Sequence, residues 1–399
     1  MSEKKVIKKS DWVSNFTLIG KPVINDYTFK IDEKSENSNW IYNALNLGID
    51  AGEKFGTVYA EMMAGYGEES PNQIYAHGKK DDGSDDFDKQ IVVDWEDRLN
   101  SKVLEEIGEL SFISIGLEKT SDGKTFYKKF LSAYDAIAYV KEHLTENMVL
   151  NVKGNLKYSI YNDNVQVRKN ITSIALSKVD DSANYKAAFT QTILIDKDSA
   201  SLKNIDKDKG VMYVDAKVLD FLKEYNGIKL VNAKGEAKGG QYPYNKQFEF
   251  AMDFSNEAAC KKIMDKLFKV KKGVTQITFE GDFIEGGAVV TATLDDLPDD
   301  IKDLVAMGVY TEEEACAKCT ANGSRERRMV LKKPQIKLVG DDKVPVIQMF
   351  PERFTEEDLV LDYLYDTKKS NAQTNDDEPP FDTDEETSVD NSMDWLNSL

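Results

Sequence analysis

Hydrophobic and polar residues alternate with a period of two along most of this chain, and helical spacing interrupts the pattern at a few places. The clearest alternation is in LNVKGNLKYSIY, where apolar residues from Leu150 to Ile160 alternate with polar ones. This pattern predicts a β-strand with one solvent-facing side. The preceding segment, SAYDAIAYVKEHL, has helical spacing, and Ser132 with Asp135 forms a start signal of capping-box type. A turn, YNDNV, leads to a second strand, VQVRKNITSIALSK.

The same order of elements recurs later in the chain. SNEAACKKIMDKLF predicts a helix that begins at Ser255, and GVTQITFEGDFIEGG predicts a strand in which FEGDF aligns with the earlier VKGNL. The alignment superposes Gly281 on Gly154, and a glycine inside a strand marks a bend of the kind found at the corner of a small barrel. A basic strand, RRMVLKKPQIKLVG, follows after a predicted helical insertion at 295–328. The recurrence predicts two related domains, with two unrelated α+β pieces as the alternative.

The remaining pattern predicts further strands before each helix. Residues 40–67 predict a long hairpin with Ala51 to Lys54 at its tip, whereas 72–89 is polar and glycine-containing and predicts a loop. Strands, a helix between the third and fourth, and then two more strands are typical of a five-stranded OB barrel. We therefore predict a mainly β fold with α: two OB-like five-stranded barrels in tandem, each with a helix before its last two strands, plus a disordered acidic tail.

The predicted boundaries follow the changes in composition. Residues 1–10 are a flexible N-terminus, 11–180 the first domain, 181–365 the second domain with its insertion, and 366–399 the tail. The tail lacks periodicity and is rich in Asp, Glu, Ser, Thr, Asn and Pro, so it buries too little apolar surface to offset the entropy of ordering. The net charge of the chain is −19, and 370–399 contributes nine acidic residues and no Lys or Arg, which leaves −19 + 9 = −10 for the rest. Local basic surfaces remain possible because salt screens exposed charges beyond about 10 Å.

The residues that enzymes commonly use are sparse or lack the required spacing. The chain has two histidines and contains neither a G-x-S-x-G elbow nor a G-x-x-x-x-G-K-[ST] loop. Cys316 and Cys319 form a C-x-x-C, but a zinc site needs four ligands, so two semi-buried helix cysteines are the preferred interpretation. Asp94, Glu96 and Asp97 would be the Mg²⁺ ligands of a nuclease, the weaker alternative function. We expect no catalysis, no metal and no cofactor.

Basic residues and aromatics gather instead on the predicted strands. Single-stranded nucleic acid needs cations that follow its phosphates and π-faces on which its bases stack, and a sheet with this mixture provides both. Further aromatics occur in the first strands, at Trp12, Phe16, Tyr27, Phe29, Trp40 and Tyr42. The residues predicted to contact DNA are Lys128, Lys129, Lys153, Lys157, Tyr158, Tyr161, Arg168, Lys169, Tyr242, Tyr244, Lys246, Arg325, Arg327, Arg328, Lys332 and Lys333.

Cysteine usage and hydropathy indicate the compartment. Three cysteines do not make a disulfide framework, the N-terminal residues MSEKKVIKKSDW contain no apolar signal segment, and no apolar run is long enough to cross a bilayer. We therefore expect a cytoplasmic protein without a membrane partner.

The tail contains the most specific sequence signal. Its segment DDEPPF resembles the acidic tip of bacterial single-stranded DNA-binding proteins, an Asp-rich run closed by Ile-Pro-Phe. Here Pro379 stands in place of Ile, and Phe381 is followed by further residues, so recognition through a terminal carboxylate does not carry over. A plain solubilising extension is the alternative. The residues predicted to bind a partner are Asp376, Asp377, Glu378, Pro380, Phe381, Trp395 and Leu396.

Taken whole, the chain resembles phage single-stranded DNA-binding proteins. The resemblance is carried by NVKGNLKYSIYNDNVQVRKNITSIALSK, by DDIKDLVAMGVYTEEEACAKCTANGSRERRMVLKKPQI and by the tail. It implies OB domains, sequence-independent coverage of single-stranded DNA in phage replication or recombination inside the host cytoplasm, and a tail that recruits replication or recombination proteins. The rival interpretation is an acidic interaction or scaffold protein that binds a host or phage replication factor without binding DNA.

Overall fold

Strands dominate the first half of the chain in the computed structural model, as the period-two pattern predicts. The structure describes residues 6–361 except 37, 70–71, 163, 180, 287–288, 291–293, 295–296, 313–314, 317–320 and 323–326. The first-half strands are β1 (Ser14–Val23), β2 (Phe29–Lys34), β3 (Trp40–Asp50), β4 (Thr57–Gly67), β5 (Gln73–Lys79), β6 (Asp85–Asp94), β7 (Ile113–Lys119), β8 (Thr125–Phe130), β9 (Leu150–Tyr161) and β10 (Asn164–Leu176). The helices are α1 (Ser101–Glu106) and α2 (Ala133–His143).

Five of these strands close into an OB-like barrel. β1 pairs with β3, β3 with β4, β4 with β10, β10 with β9, and β9 with β1. All of these pairings are antiparallel except β4–β10, which is parallel. α2 precedes β9 and begins at Ser132, whose side chain accepts a hydrogen bond from the backbone N–H of Tyr134 at 3.2 Å. The predictions of a mainly β fold, of a five-stranded barrel and of this helix start are confirmed.

The second half repeats the order of strand pairing, although the elements between its paired strands differ. Its strands are β11 (Lys186–Ile195), β12 (Ala200–Asp206), β13 (Val211–Leu222), β14 (Glu224–Tyr225), β15 (Ile228–Lys229), β16 (Gly240–Ala251), β17 (Val274–Glu285), β18 (Val289–Val290), β19 (Ala321–Asn322), β20 (Arg327–Pro334), β21 (Ile336–Val339), β22 (Val344–Ile347) and β23 (Met349–Phe354). Its helices are α3 (Glu257–Ile263) and α4 (Asp299–Ala306). β13 pairs with β16, β16 in parallel with β20, β20 with β17, and β17 with β11. The contact of β11 with β13 is a single residue pair, Leu194 with Lys217.

The two halves meet through their first strands. β1 and β11 pair antiparallel over six residue pairs, with Phe16 directly opposite Phe189. Each phenylalanine lies against the mid-strand glycine of its own half: a Cβ on Gly154 would be 2.7 Å from the Phe16 ring, and one on Gly281 would be 2.5 Å from the Phe189 ring. One hydrophobic core runs through both halves, including Leu47, Val152, Phe189 and Phe279. The recurrence seen in the sequence therefore corresponds to a repeated packing contact.

Two local predictions are wrong. Residues 72–89 form most of the hairpin β5–β6 rather than a loop, because Ala76 and Val93 pack into a small cluster with Ile107 that the local sequence does not reveal. α3 begins after Asn256 rather than at Ser255, because the Asn256 side chain accepts a hydrogen bond from the Ala259 backbone N–H. The domain boundaries stay predictions, and the tail at 366–399 lies outside the described residues. Within the described ranges, no helix is long and apolar enough to span a membrane.

Candidate nucleic-acid interface

Three cations lie on the outer side of the first-half barrel. On β9, the side chains of Val152 and Leu156 face the core, while Lys153 and Lys157 point outward and are exposed. On β10, Arg168 is directly opposite Lys157 in the ladder. Like charges in cross-strand positions are unfavourable in isolation, so this arrangement favours an external anion. We call Lys153, Lys157 and Arg168 the cationic face.

A buried carboxylate anchors one end of the cationic face. Asp220, on β13, accepts hydrogen bonds from the backbone N–H groups of Tyr158 at 2.9 Å and Phe221 at 2.8 Å. Its carboxylate lies 3.7 Å from Lys157 Nζ and 3.6 Å from Lys9 Nζ. Burial lowers the pKa of Lys9, and the charge of Lys157 acts in the same direction while Asp220 opposes it. One carboxylate thus faces two amines, which leaves positive charge at this end.

Two aromatic side chains lie on β3, which β4 separates from β10 in the barrel. Trp40 and Tyr42, on β3, stack with ring centroids 5.2 Å apart and planes inclined by 17°. Trp40 lies against Gly65 of β4, where a Cβ would approach the indole to 2.7 Å. Both rings are half-buried and belong to the opposite side of β3 from the buried Leu45. We call Trp40 and Tyr42 the aromatic face.

Glu61 lies on β4, the strand between β3 and β10. It is directly opposite Asn46 of β3 and beside Asn170 in the parallel β4–β10 pairing. Burial raises the pKa of the Glu61 carboxyl, while the charges of Arg168 and Lys169 act in the opposite direction. The negative charge of Glu61 therefore interacts with both Arg168 and Lys169 of β10.

Three of the corresponding cations of the second half form ion pairs. Arg328 Nη2 lies 2.6 Å from Glu249, Lys333 Nζ lies 3.1 Å from Glu280, and Lys332 forms an ion pair with Asp282. Because Gly281 corresponds to Gly154, the acidic residues on β17 stand where the first half has Lys153 and Asn155. Arg327 is exposed, and Arg325 lies outside the described residues. The basic strand predicted from the sequence therefore lies beside an acidic one.

Lys169 and two of the predicted tyrosines, Tyr158 and Tyr244, are largely buried and interact with other residues of the protein. The side chain of Lys169 is 12% exposed, and its Nζ lies 2.6 Å from Glu285 and 4.9 Å from the Phe283 ring centroid. Tyr158 and Tyr244 are 4% and 1% exposed. Their hydroxyls donate to Gln191 Oε1 and to the Phe221 carbonyl. The prediction that these two rings stack on bases is wrong, because neither has an accessible face.

The remaining residues predicted to contact DNA lie outside the cationic face and differ from one another in their surroundings. Tyr161 is half-buried at the end of β9, and Tyr242 stacks on Tyr225 with centroids 5.2 Å apart. Lys246 is half-buried on β16, where burial lowers its pKa. Lys128 and Lys129 are exposed on β8: Lys129 pairs with Glu109 at 2.5 Å, and Lys128 Nζ is 4.7 Å from the Tyr139 ring centroid.

Sequence reasoning missed two exposed aromatics beside Lys128. Phe126 and Tyr127 are about half exposed on β8, which pairs only with β7 among the described strands. The signal that would have revealed them is the run TFYKKF, in which lysines occupy both faces of a short strand, as on a sheet edge.

The alternative chemical sites gain no geometric support. Asp94, Glu96 and Asp97 are exposed, and no group of three or more His, Cys, Asp or Glu positioned to hold a metal ion occurs in the part of the chain that the structure describes. Cys316 is half-buried near Leu297 and Ala315, while Cys319 lies outside the described residues. The tail residues Asp376, Asp377, Glu378, Pro380, Phe381, Trp395 and Leu396 also lie outside them.

Comparisons with known proteins give a partial family match and a distant structural likeness. A family model described as YorF matches residues 78–270, slightly less than half of the chain. The chain is similar to the crystal structure of the wild-type single-stranded DNA binding protein from Thermus aquaticus, with a TM-score of 0.29 and 9% sequence identity over 69% of this chain and 87% of that one. The comparison with curated proteins found no match. At this TM-score the likeness carries no argument about function, which rests on the geometry above.

Proposed function

We propose that this chain binds single-stranded DNA without sequence preference, through the cationic and aromatic faces of the first-half barrel. The observation that carries the proposal is that three outward-facing cations and a stacked aromatic pair lie on one closed barrel, on β9–β10 and on β3, with β4 between β10 and β3. The three cations would contact phosphates and the stacked Trp40–Tyr42 pair would receive a base, which is worth about 1–3 kcal/mol per base. The central strands of OB barrels are a common surface for binding oligonucleotides.

The proposal extends to the rest of the chain. The second half is a second OB-like barrel, which the repeated order of pairing supports, and it contributes less to phosphate binding because its cations are paired. A role in phage DNA replication or recombination, in the cytoplasm of the host, is supported by the sequence resemblance, as is recruitment of partner proteins by the acidic tail. The chain acts by binding rather than by catalysis.

A titration of labelled oligo-dT tests the proposal. A length of about 30 nucleotides covers two OB domains at 4–16 nucleotides each. We expect salt-dependent binding and weaker binding to duplex. In the triple variant Lys153→Ala/Lys157→Ala/Arg168→Ala, the slope of log K against log salt should fall by about 2, because each phosphate contact with a single strand contributes about 0.7.

The matched control is Lys332→Ala/Lys333→Ala, which removes two strand lysines that are already paired with carboxylates. It should leave the affinity and the salt slope close to those of the wild type. Equal losses in both variants would contradict the assignment of the interface to the first half. A wild-type chain that binds no oligonucleotide at low salt would favour the scaffold or protein-interaction alternative.

A further inference from the structure

The hairpin β7–β8 extends the sheet beyond the five barrel strands. β7 pairs in parallel with β10 over three residue pairs, and β8 pairs antiparallel with β7. The first of the three pairs places Ser173 of β10 beside Ser114 of β7. The hairpin therefore continues the sheet that carries the cationic face on β9 and β10.

A row of polar side chains crosses this sheet at one level. The ladder aligns one residue from each of β9, β10, β7 and β8, in that order: Lys153, Ser173, Ser114 and Lys129. Ile174 and Ile115, one position further along β10 and β7, are fully buried in the core, so the row lies on the outer side of the sheet. Because neighbouring strands are about 4.8 Å apart, the row extends roughly 14 Å from the cationic face to β8.

An exposed tyrosine lies on the same side of the hairpin. Tyr127 is two residues before Lys129 on β8, so the two side chains share the outer side. The ring lies beside Gly116 of β7, where a Cβ would be 2.9 Å from Tyr127 Cε1. The ring thus occupies the space in which a side chain of β7 would otherwise stand, and half of its surface is exposed to a ligand. We call Ser114, Gly116, Tyr127 and Lys129 the β7–β8 surface.

The β7–β8 surface has an excess of positive charge around it. Lys129 Nζ lies 2.5 Å from Glu109, but the same carboxylate also lies 3.8 Å from Lys79 Nζ. Lys119, near the tip of the hairpin, adds an exposed cation. This excess occurs in a chain whose net charge is −19. Cations beside an exposed aromatic ring suit a ligand that has both phosphates and stacking bases.

We propose that a bound single strand runs from the cationic face across β10 and β7 to the β7–β8 surface, where Tyr127 stacks on a base. The proposal rests on the proposed DNA-binding function and adds to it a contact outside the five barrel strands. Continuity of the polar row with Lys153 selects the same strand of DNA as the occupant. The hydroxyls of Ser173 and Ser114 lie between the lysines at the two ends of the row, and hydroxyls commonly donate to phosphate oxygens.

The opposite side of the hairpin provides a matched control. Phe126 immediately precedes Tyr127 and is 48% exposed, against 50% for Tyr127, so two equally accessible rings lie on opposite sides of β8. Phe126 is directly opposite Glu118, whose carboxylate accepts a hydrogen bond from the Tyr139 hydroxyl of α2. The side that bears Phe126 therefore faces α2 and presents a carboxylate, which repels phosphate.

The first measurement is a titration of labelled oligo-dT of about 30 nucleotides with the full chain and three variants. Tyr127→Ala should weaken binding about tenfold, the scale of one lost base stack. Its slope of log K against log salt should equal that of the wild type, because no phosphate contact is removed. Tyr127→Phe keeps an aromatic ring and Phe126→Ala removes one from the other side, so both should stay within about twofold of the wild-type affinity.

The second measurement locates the contact in the wild-type chain. Oligo-dT in which 5-iododeoxyuridine replaces thymidine is bound and irradiated, and mass spectrometry identifies the residue to which it is attached. We expect attachment at Tyr127 and none at Phe126. This measurement needs no substitution, so it tests the contact even if a variant folds poorly.

The outcomes separate this contact from the proposed function. If the wild type binds oligo-dT but Tyr127→Ala binds equally well, or no better than Phe126→Ala, the Tyr127 contact is overturned and the DNA-binding function stands. An equal loss in Tyr127→Phe would overturn stacking, because the ring is kept in that variant. Attachment to Phe126 instead of Tyr127 would also overturn it. A wild-type chain that binds no oligo-dT would refute the proposed function, and this contact with it.

Discussion

A glutamate and an arginine occupy equivalent positions in the two halves of the chain. Glu61 lies beside Asn170 in the β4–β10 pairing, and Glu249 lies beside Val330 in the β16–β20 pairing, with an arginine two residues earlier on the partner strand in each case. In the second half, Arg328 and Glu249 form an ion pair at 2.6 Å. Among the described residues no carboxylate lies within ion-pair distance of Arg168. The same two residue types thus form a closed ion pair in one half and leave a cation available to a ligand in the other.

Replacement of Glu61 by Gln should strengthen DNA binding and stabilise the protein at neutral pH. The pKa of Glu61 is raised in the folded state, so the carboxylate disfavours folding once the pH rises above the ordinary value of 4.5 and through the raised value. The increase in the free energy of unfolding caused by Glu61→Gln should therefore grow with pH through this window and vanish below it. Urea unfolding at several pH values measures this increase. Removing the negative charge should also increase oligo-dT affinity a few-fold.

The equivalent glutamate provides the control for that prediction. Glu249→Gln removes one partner of a largely buried ion pair, so it should destabilise the protein by about 1.5–3 kcal/mol at neutral pH. The prediction is contradicted if Glu61→Gln destabilises the protein, or if its effect on the free energy of unfolding does not change with pH. Either result would show that Glu61 forms a stabilising ion pair as Glu249 does.

At the scale of elements, each half has a glycine in one barrel strand, β9 or β17, directly beside a bulge in the strand that pairs with it, β10 or β20. Gly154 is opposite Ile171, and the register shifts by one residue at Thr172. Gly281 is opposite Leu331, and the register shifts at Lys332. A bulge at a strand bend is a recurrent means of closing a small barrel. The repeated combination explains how two halves of different sequence adopt the same order of pairing.

Gly154→Ala should destabilise the protein by about 1–3 kcal/mol, the usual range for overpacking a core. The added Cβ would lie 1.9 Å from the Asn170 carbonyl oxygen, so β9 and β10 would have to separate. Replacing a strand glycine by alanine otherwise tends to stabilise, because it restricts the unfolded chain. Urea unfolding measures the change.

Gly286→Ala is the matched control for this substitution, because among the residues that the structure describes a Cβ there would have no neighbour closer than 4.0 Å. It should change the stability by no more than about 0.5 kcal/mol. Equal effects of the two substitutions would mean that the close contact at Gly154 does not constrain the barrel.

At the scale of the whole molecule, the two halves are joined by strand pairing, an ion pair and a common core as well as by the chain between them. Beyond the six residue pairs of β1 and β11, the Lys169–Glu285 ion pair joins β10 to β17, and Glu285 N–H donates to the Phe55 carbonyl at 2.8 Å. The hydrophobic core is continuous across the pairing, and the described residues up to Val360 belong to one compact unit. Separation of the halves would expose both core surface and a strand edge.

We therefore expect the two halves to unfold in a single transition. Three of the four tryptophans, Trp12, Trp40 and Trp95, lie in the first half, so tryptophan fluorescence reports mainly on that half, whereas far-UV circular dichroism reports on the strands of both. The two urea curves should coincide. Separate midpoints would show that the halves are independent domains joined by a labile contact.

The sequence by itself determined the elements whose signals are local. Alternation from Leu150 to Ile160 predicted β9, and the start signal at Ser132 predicted the beginning of α2. These predictions succeeded because strand alternation and helix capping each depend on residues within a few positions. The outward positions of Lys153 and Lys157 on β9 follow from the same alternation.

Only the tertiary structure decided which charges and aromatics are available to a ligand. Arg328 is neutralised by a residue 79 positions away and Lys169 by one 116 positions away, and Tyr158 is buried by strands of both halves. The alternation within a strand's own sequence determines which of its side chains point outward. Barrel closure and the pairing of β1 with β11 determine which neighbouring side chains they contact. Charge neutralisation and ring burial depend on those non-local neighbours, so the same basic pattern yields an open cationic face in one half and a closed set of ion pairs in the other.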